Sequence, residues 1–169
     1  GFHLSFDGLF NLRTAGQGPE PFLLYVSCEG DFQALNKDQL DGLRRFLDAG
    51  GTLFAEASKG SDGFAKSFAD IAKAVGATMK AIPKDAGLLR AHHLFSSPPP
   101  GGVDKGTLTG DLEKGVILST LDYGGAWQGQ VPKPDDEGSR DRIRRAIEFG
   151  LNVVAFAAQR KRRTELVRL

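Results

Sequence analysis

The order of hydrophobic and polar positions along the chain predicts strands that alternate with helices. Continuous apolar runs at residues 22–27 and 52–57 have the length of strands that are covered on both faces. A third run at residues 115–121 predicts another strand of this kind. Weaker patterns predict an edge strand at residues 2–6, where apolar and polar residues alternate, and a short strand at residues 77–82.

Three helices are predicted between and after these strands. The first is capped by Asn36, carries apolar residues three and four apart, and ends at Gly50 and Gly51. The second has its apolar stripe between residues 64 and 75 and stops at Gly76. We expect the third to be capped by Ser139 and to bury one stripe against the sheet: Ile143, Ile147, Leu151, Val154 and Ala158.

This alternation predicts an α/β layered fold with a parallel sheet. We expect residues 1–169 to form one domain, with a core at residues 20–160 and peripheral ends. Proline and glycine make residues 83–105 irregular.

Composition narrows the classes of function. The formal charge of +1 gives no reason to expect nucleic acid as a partner, and the longest apolar stretch is far too short to span a membrane. The lone Cys28 excludes an internal disulfide and multi-cysteine metal sites. The chain shows no signal peptide and begins at Gly1, which suggests a domain excised from a longer protein, so its cellular location stays open.

Carboxylates follow the predicted strands at the edge where ligands bind in open α/β sheets, beyond the carboxyl ends of the strands. Carboxylates brought together at this edge would repel one another. A cation, a shared proton or a basic partner such as Lys59, His92 or His93 would be needed to offset the repulsion. The candidate ligand-binding residues of this rim are Glu29, Asp31, Glu56, Ser58, His92, Asp122 and Tyr123.

Three interpretations of the rim stay open. The acids could hold a metal together with His92, a pair of them could do general acid–base work, or Asp31 and Asp122 could organise loops by accepting backbone N–H groups. We predict no cofactor and no resident metal. Cys28 is a poor nucleophile candidate because it lies eight residues before the helix cap Asn36, whereas a nucleophile elbow runs directly into a helix. The basic run at residues 160–163 is expected to be the solvated end of the last helix, with nucleic-acid contact as the alternative.

Several segments together resemble one bacterial family. Residues 21–32 (PFLLYVSCEGDF), 43–51 (LRRFLDAGG), 64–68 (FAKSF), 122–127 (DYGGAW) and 150–154 (GLNVV) are similar, in order and spacing, to motifs of the family named domain of unknown function 4159. The chain departs from that family where Cys28 and Glu29 stand in place of a Gly-His pair, and where His93 follows His92 in place of proline.

The resemblance implies a class I glutamine amidotransferase-like, flavodoxin-like layout: a three-layer α/β/α sandwich with a mainly parallel central sheet. In true amidotransferases a nucleophilic cysteine follows the strand that matches residues 52–57, and the matching position here is Glu56. We therefore expect a non-catalytic domain that binds a small molecule or a protein partner through the rim. The alternative is a hydrolase-type or metal-assisted enzyme that uses Glu29, Asp31, Glu56, Asp122 and His92.

Overall fold

The computed structural model describes residues 10–15 and 20–168, so the strand predicted at residues 2–6 lies outside the described residues. The described chain forms a mixed α/β structure with one open five-stranded sheet. Its strands are β1 (Leu23–Cys28), β2 (Thr52–Ala57), β3 (Lys80–Ala81), β4 (Leu108–Asp111) and β5 (Val116–Ser119). Its helices are α1 (Lys37–Asp48), α2 (Asp62–Ala74), α3 (Tyr123–Trp127) and α4 (Glu137–Val167).

The sheet has the order β1-β2-β5-β4-β3 and is mixed. β1, β2 and β5 run parallel, whereas β4 is antiparallel to β5 and β3 is antiparallel to β4. The expected mainly parallel sheet therefore holds only for one half, because β4 and β5 form a hairpin that the apolar pattern did not predict. The predicted strand at residues 77–82 is present as the two-residue β3.

Helices α1 and α2 confirm the predicted caps and ends. Asn36 and Gln39 form a reciprocal capping box at α1, which satisfies backbone N–H groups that the first turn leaves free. Gly50 ends α1 and Gly76 ends α2, both with positive φ (90° and 77°), the left-handed conformation that glycine adopts most readily.

The two faces of the sheet bury separate apolar clusters. Residues of α1 and α2 pack with Leu53 and Ala55 on one face, and residues of α3 and α4 pack with Phe54 and Ile117 on the other. Alternation along the strands sends neighbouring side chains into opposite clusters, so Glu56 faces α3 while Cys28 packs on the side of α1 and α2.

β1 corrects one prediction, since it is not covered on both faces. Within the sheet formed by the described residues it is an edge strand, and Tyr25 and Ser27 are exposed. An apolar run alone does not distinguish a central strand from an edge strand whose outer neighbour is solvent.

Helix α4 differs from the predictions in its N-cap and in its buried side. Asp136, not Ser139, caps it, and Ser139 lies inside the helix, where its hydroxyl donates to the carbonyls of Pro132 and Lys133. The buried side is not the expected stripe, since Ile147 and Leu151 are 47% and 42% exposed. The residues that α4 does bury are Ser139, Ala146, Phe149, Asn152, Val153 and Ala157.

The basic run at residues 160–163 lies within α4 and does not follow it. Arg160 is half-buried, and its guanidinium donates to the carbonyls of Leu47, Gly51, Glu113 and Lys114. Arg160 therefore joins α4 to the α1–β2 turn and to the β4–β5 hairpin. The sequence had predicted that this charge would be solvated. None of the helices in the described ranges has the length and apolar character needed to cross a membrane.

Candidate functional site

Glu56 stands at the carboxyl end of the central strand β2 and is fully buried. Its Oε1 accepts the backbone N–H of Tyr123 at 2.6 Å. Its Oε2 accepts both the Tyr25 hydroxyl and the backbone N–H of Gly124, each at 2.7 Å. Three donors therefore converge on one carboxylate, and they tie β1, β2 and the start of α3 together.

The turn after β5 is built around this carboxylate. Asp122 takes a left-handed conformation (φ 58°), caps α3 by accepting the N–H of Gly125 at 3.3 Å, and is 4% exposed. A Cβ on Gly124 would lie 2.5 Å from the Tyr25 hydroxyl and 2.9 Å from Glu56 Oε2. The absence of a side chain at Gly124 therefore lets Glu56 and Tyr25 approach the start of α3 this closely, and a larger residue would have to displace one of them.

A segment of the irregular region, residues 99–104, covers this turn. Pro99 accepts a hydrogen bond of 2.8 Å from the Tyr123 hydroxyl, and the Gly102 N–H donates to the carbonyl of Asp122 at 2.8 Å. Arg142 of α4 holds the segment, since its guanidinium donates to the carbonyls of Gly101 and Val103 and pairs with Asp104. The segment and α4 therefore close the rim above β5.

The other half of the rim is open. Glu29 and Lys59 form an ion pair of 2.9 Å in which both side chains are about two-thirds exposed (65% and 64%). Asp31 is also exposed, and a Cβ on Gly63 would lie 2.3 Å from its Oδ1, so this carboxylate lies against the first turn of α2. Ser58 is partly buried in the single 3-10 turn Ser58–Gly60 that follows β2.

His92 belongs to neither half. The backbone N–H groups of His92 and His93 donate to Asn152 Oδ1 at 3.2 and 2.6 Å, and the two imidazole rings lie edge to face, 4.7 Å apart. Asn152 of α4 in turn donates to the carbonyls of Leu88 and His93. The buried amide fixes the course of this loop, and the exposed His92 has no described contact with the acids of the rim.

The sequence around this site matches a known family model. The model for a domain of unknown function (DUF4159) matches residues 21–158, which is most of the chain. The chain belongs to the DUF4159 family. No curated protein matches it.

The matched segment contains every residue of the DUF4159 rim described above. The structure brings Glu56, Asp122 and Tyr123 together and gives Glu29, Asp31 and His92 separate contacts. Across residues 10–15 and 20–168, no three His, Cys, Asp or Glu side chains are grouped so that they could hold a metal ion.

Burial sets the electrostatics of the DUF4159 rim. Loss of solvent raises the pKa of Glu56 above its ordinary value, the nearby Asp122 raises it further, and the three donated hydrogen bonds oppose this shift. Burial and the Glu56 carboxylate also raise the pKa of Tyr25, so its hydroxyl keeps its proton and acts as a donor. Burial likewise raises the pKa of Tyr123. Both tyrosine hydroxyls donate hydrogen bonds, that of Tyr25 to Glu56 and that of Tyr123 to the carbonyl of Pro99.

Sequence reasoning missed Tyr25, Arg142 and Asn152. Tyr25 is 31 positions from Glu56, and the register that pairs Ser27 with Glu56 becomes visible only when β1 and β2 are paired. The one signal was a hydroxyl-bearing side chain inside an otherwise apolar strand. Arg142 and Asn152 lie outside the apolar stripe that the sequence predicts for this helix, and the hydrogen bonds that they donate join α4 to segments 38 to 64 positions away in sequence.

Proposed function

We propose that this DUF4159 domain is a non-catalytic binding or interaction domain with a class I glutamine amidotransferase-like, flavodoxin-like layout. The proposed layout, a three-layer sandwich, is supported by helices on both faces of the sheet and by the parallel arrangement of β1, β2 and β5. The departures from a mainly parallel sheet are confined to β3 and β4.

One observation carries the non-catalytic assignment. The family resemblance implies that Glu56 stands where an amidotransferase carries its nucleophile, and both oxygens of Glu56 accept hydrogen bonds from the protein itself. A fully buried carboxylate that accepts three hydrogen bonds from the protein holds the fold together and has no open access to a substrate.

The proposed binding surface is the open half of the rim. Glu29, Asp31, Ser58 and the exposed Ser27 give this half a polar character, with Glu29 paired with Lys59 and the Asp31 carboxylate exposed. Glu56, Asp122 and Tyr123 contribute from below by fixing the backbone, since they are buried. The chemistry favours a small polar or cationic ligand, or a partner that presents such a group.

A screen of small polar fragments, followed in amide NMR spectra of the whole chain, tests this proposal. We expect fragment-induced shifts to cluster at residues 27–31 and 58–60, and Glu29→Ala with Asp31→Ala to abolish them. Matched alanines at the exposed Asp135 and Glu137, remote in sequence, serve as the control. Fragments that gather elsewhere, or that still bind the Glu29 and Asp31 variant, would overturn the proposal.

The enzyme alternative has one observation in its favour, the raised pKa of the buried Glu56 beside Asp122, a pattern also found in general acids. We expect no hydrolysis of L-glutamine or of p-nitrophenyl esters and phosphates above the buffer rate. We also expect no rise in melting temperature with Mg²⁺, Mn²⁺, Ca²⁺ or Zn²⁺. A hydrolytic rate, or a metal-induced rise that Asp122→Asn abolishes, would establish the alternative instead.

A further inference from the structure

The outer side of α4 carries an apolar surface that the described fold covers only in part. Ile147, Leu151, Val154 and Ala158 follow one another at intervals of four, three and four residues, the spacing of a coiled-coil seam. Ile147 and Leu151 are 47% and 42% exposed, and Val154 and Ala158 are half-buried. An apolar stripe with this spacing over three helical turns is typical of a surface that packs against another helix.

We propose that this seam binds α4 of a second copy of the chain, with the two helices antiparallel. A two-fold axis between residues 152 and 153 places Ile147 opposite the partner's Ala158 and Leu151 opposite the partner's Val154. Each layer then combines a larger with a smaller side chain, which allows the helices to interdigitate. The same surface patch serves both copies, as a two-fold interface requires.

Charge complementarity selects this occupant and this direction. The same register places Arg140 opposite the partner's Glu165, an acid whose carboxylate lies 3.8 Å from the Lys161 ammonium of its own helix. In a parallel pair, each of these groups would face its own copy, so like charges would meet. The antiparallel pair also brings Arg144 near the partner's Lys161, but Arg144 already pairs with Asp141 and Glu148 of its own helix.

The seam continues towards the edge of the sheet. The Trp127 ring packs against Gly150, where a Cβ would lie 3.1 Å from the ring, and its Nε1 donates to Ala146 on the preceding turn. Tyr25 lies beside Trp127, with ring centroids 5.8 Å apart, and is 46% exposed. These aromatic rings widen the apolar surface at its β1 side. This inference is independent of the proposed rim function, since rim binding by a monomer would leave it untouched.

Sedimentation equilibrium of the full chain over a range of concentrations tests the proposal. We expect a monomer–dimer equilibrium that Leu151→Asp weakens roughly a hundredfold, because both copies then bury an acid in the seam. Leu94→Asp, at a leucine that is 83% exposed on the irregular segment, is the matched control and should leave the equilibrium unchanged. A monomer at every concentration, or a dimer that Leu151→Asp leaves intact, would overturn the proposal.

Charge reversal tests the direction. Arg140→Glu should weaken the dimer roughly tenfold, and the added change Glu165→Arg should restore it. Arg163→Glu carries the same charge change on another side of α4 and should have no effect. Failure of Glu165→Arg to restore association would overturn the antiparallel pairing.

A membrane surface is the competing occupant. Sedimentation with vesicles of phosphatidylcholine and phosphatidylserine distinguishes the two, and we expect the wild-type chain to stay in the supernatant. Binding to these vesicles that Leu151→Asp abolishes, together with a monomeric chain in solution, would assign the seam to lipid and contradict the proposal.

Discussion

Glu56 and Glu29 lie at the carboxyl ends of neighbouring strands of the same sheet, yet the structure uses them in opposite ways. Glu56 is buried and accepts three hydrogen bonds from the protein. Glu29 is 65% exposed and has a single ion-pair partner, Lys59. The position of a carboxylate at the rim therefore does not determine its role. Its solvent exposure and the number of donors around it do.

Removal of the Glu56 carboxylate should have the largest effect. Glu56→Ala leaves two buried N–H groups without an acceptor, and we expect a loss of about 3 kcal/mol of unfolding free energy after allowance for the relieved burial of charge. This corresponds to a fall in melting temperature of roughly 6–12 °C, measurable by calorimetry.

Glu29→Ala is the matched control for that measurement. An exposed ion pair contributes little, so we expect a loss below about 0.5 kcal/mol. If the two variants lost equal stability, the distinction between a buried anchor and an exposed surface acid would be wrong.

Gly124→Ala should come next, since it preserves Glu56 and disturbs only the approach of α3. The added Cβ would lie 2.5 Å from a tyrosine hydroxyl that is itself hydrogen-bonded, and we expect a loss of about 2 kcal/mol. Gly138→Ala is the control, because no atom lies within 4 Å of a Cβ added there in the first turn of α4. Denaturant midpoints at equal slope provide the comparison, and an unchanged midpoint for Gly124→Ala would contradict the proposed geometry.

Tyr25→Phe should have a smaller effect. It removes one donor from Glu56 Oε2 but leaves the Gly124 N–H in place, and we expect a loss of about 1–2 kcal/mol in chemical denaturation. Since the ring of Tyr25 is kept, its contact with Trp127 provides an internal control through tryptophan fluorescence. A variant as stable as the wild type would show that the Tyr25 hydroxyl is dispensable.

The pH dependence of stability tests the environment of Glu56. Its pKa is raised in the folded state, so the folded chain binds more protons than the unfolded chain between the ordinary value of 4.5 and the raised value. The stabilisation from this group is complete below 4.5 and is lost as pH rises through the folded pKa. The stability of the wild type relative to Glu56→Gln should therefore fall across this window in urea titrations. A difference that does not vary with pH, or that grows with it, would contradict a raised pKa.

The parts of the fold that sequence predicted are those fixed by local chemistry. Asn36 and Gly76 were placed correctly because caps and left-handed turns depend on a few neighbouring residues. The edge position of β1 and the β4–β5 hairpin depend on long-range pairing, which a single apolar run does not specify.

In the candidate site, too, local sequence predicted some features and long-range contacts determine the others. The carboxylates were found because they follow strands, but which of them the fold buries was decided by partners far away in sequence: Tyr25 for Glu56 and the Arg142-held segment for Asp122. On α4 the apolar stripe containing Ile147 and Leu151 was assigned inward, whereas Phe149 and Asn152 are the buried residues. If the proposed dimer forms, that pattern has a physical cause, since it reflects a second interface.

Amide hydrogen exchange at Tyr123 and Gly124 tests most directly whether Glu56 is an architectural anchor. In the wild type, both N–H groups should exchange only through global unfolding, because a buried carboxylate accepts them. In Glu56→Ala they should exchange by local opening, much faster than the amides of β2. Rapid exchange of these two amides in the wild type would contradict the account.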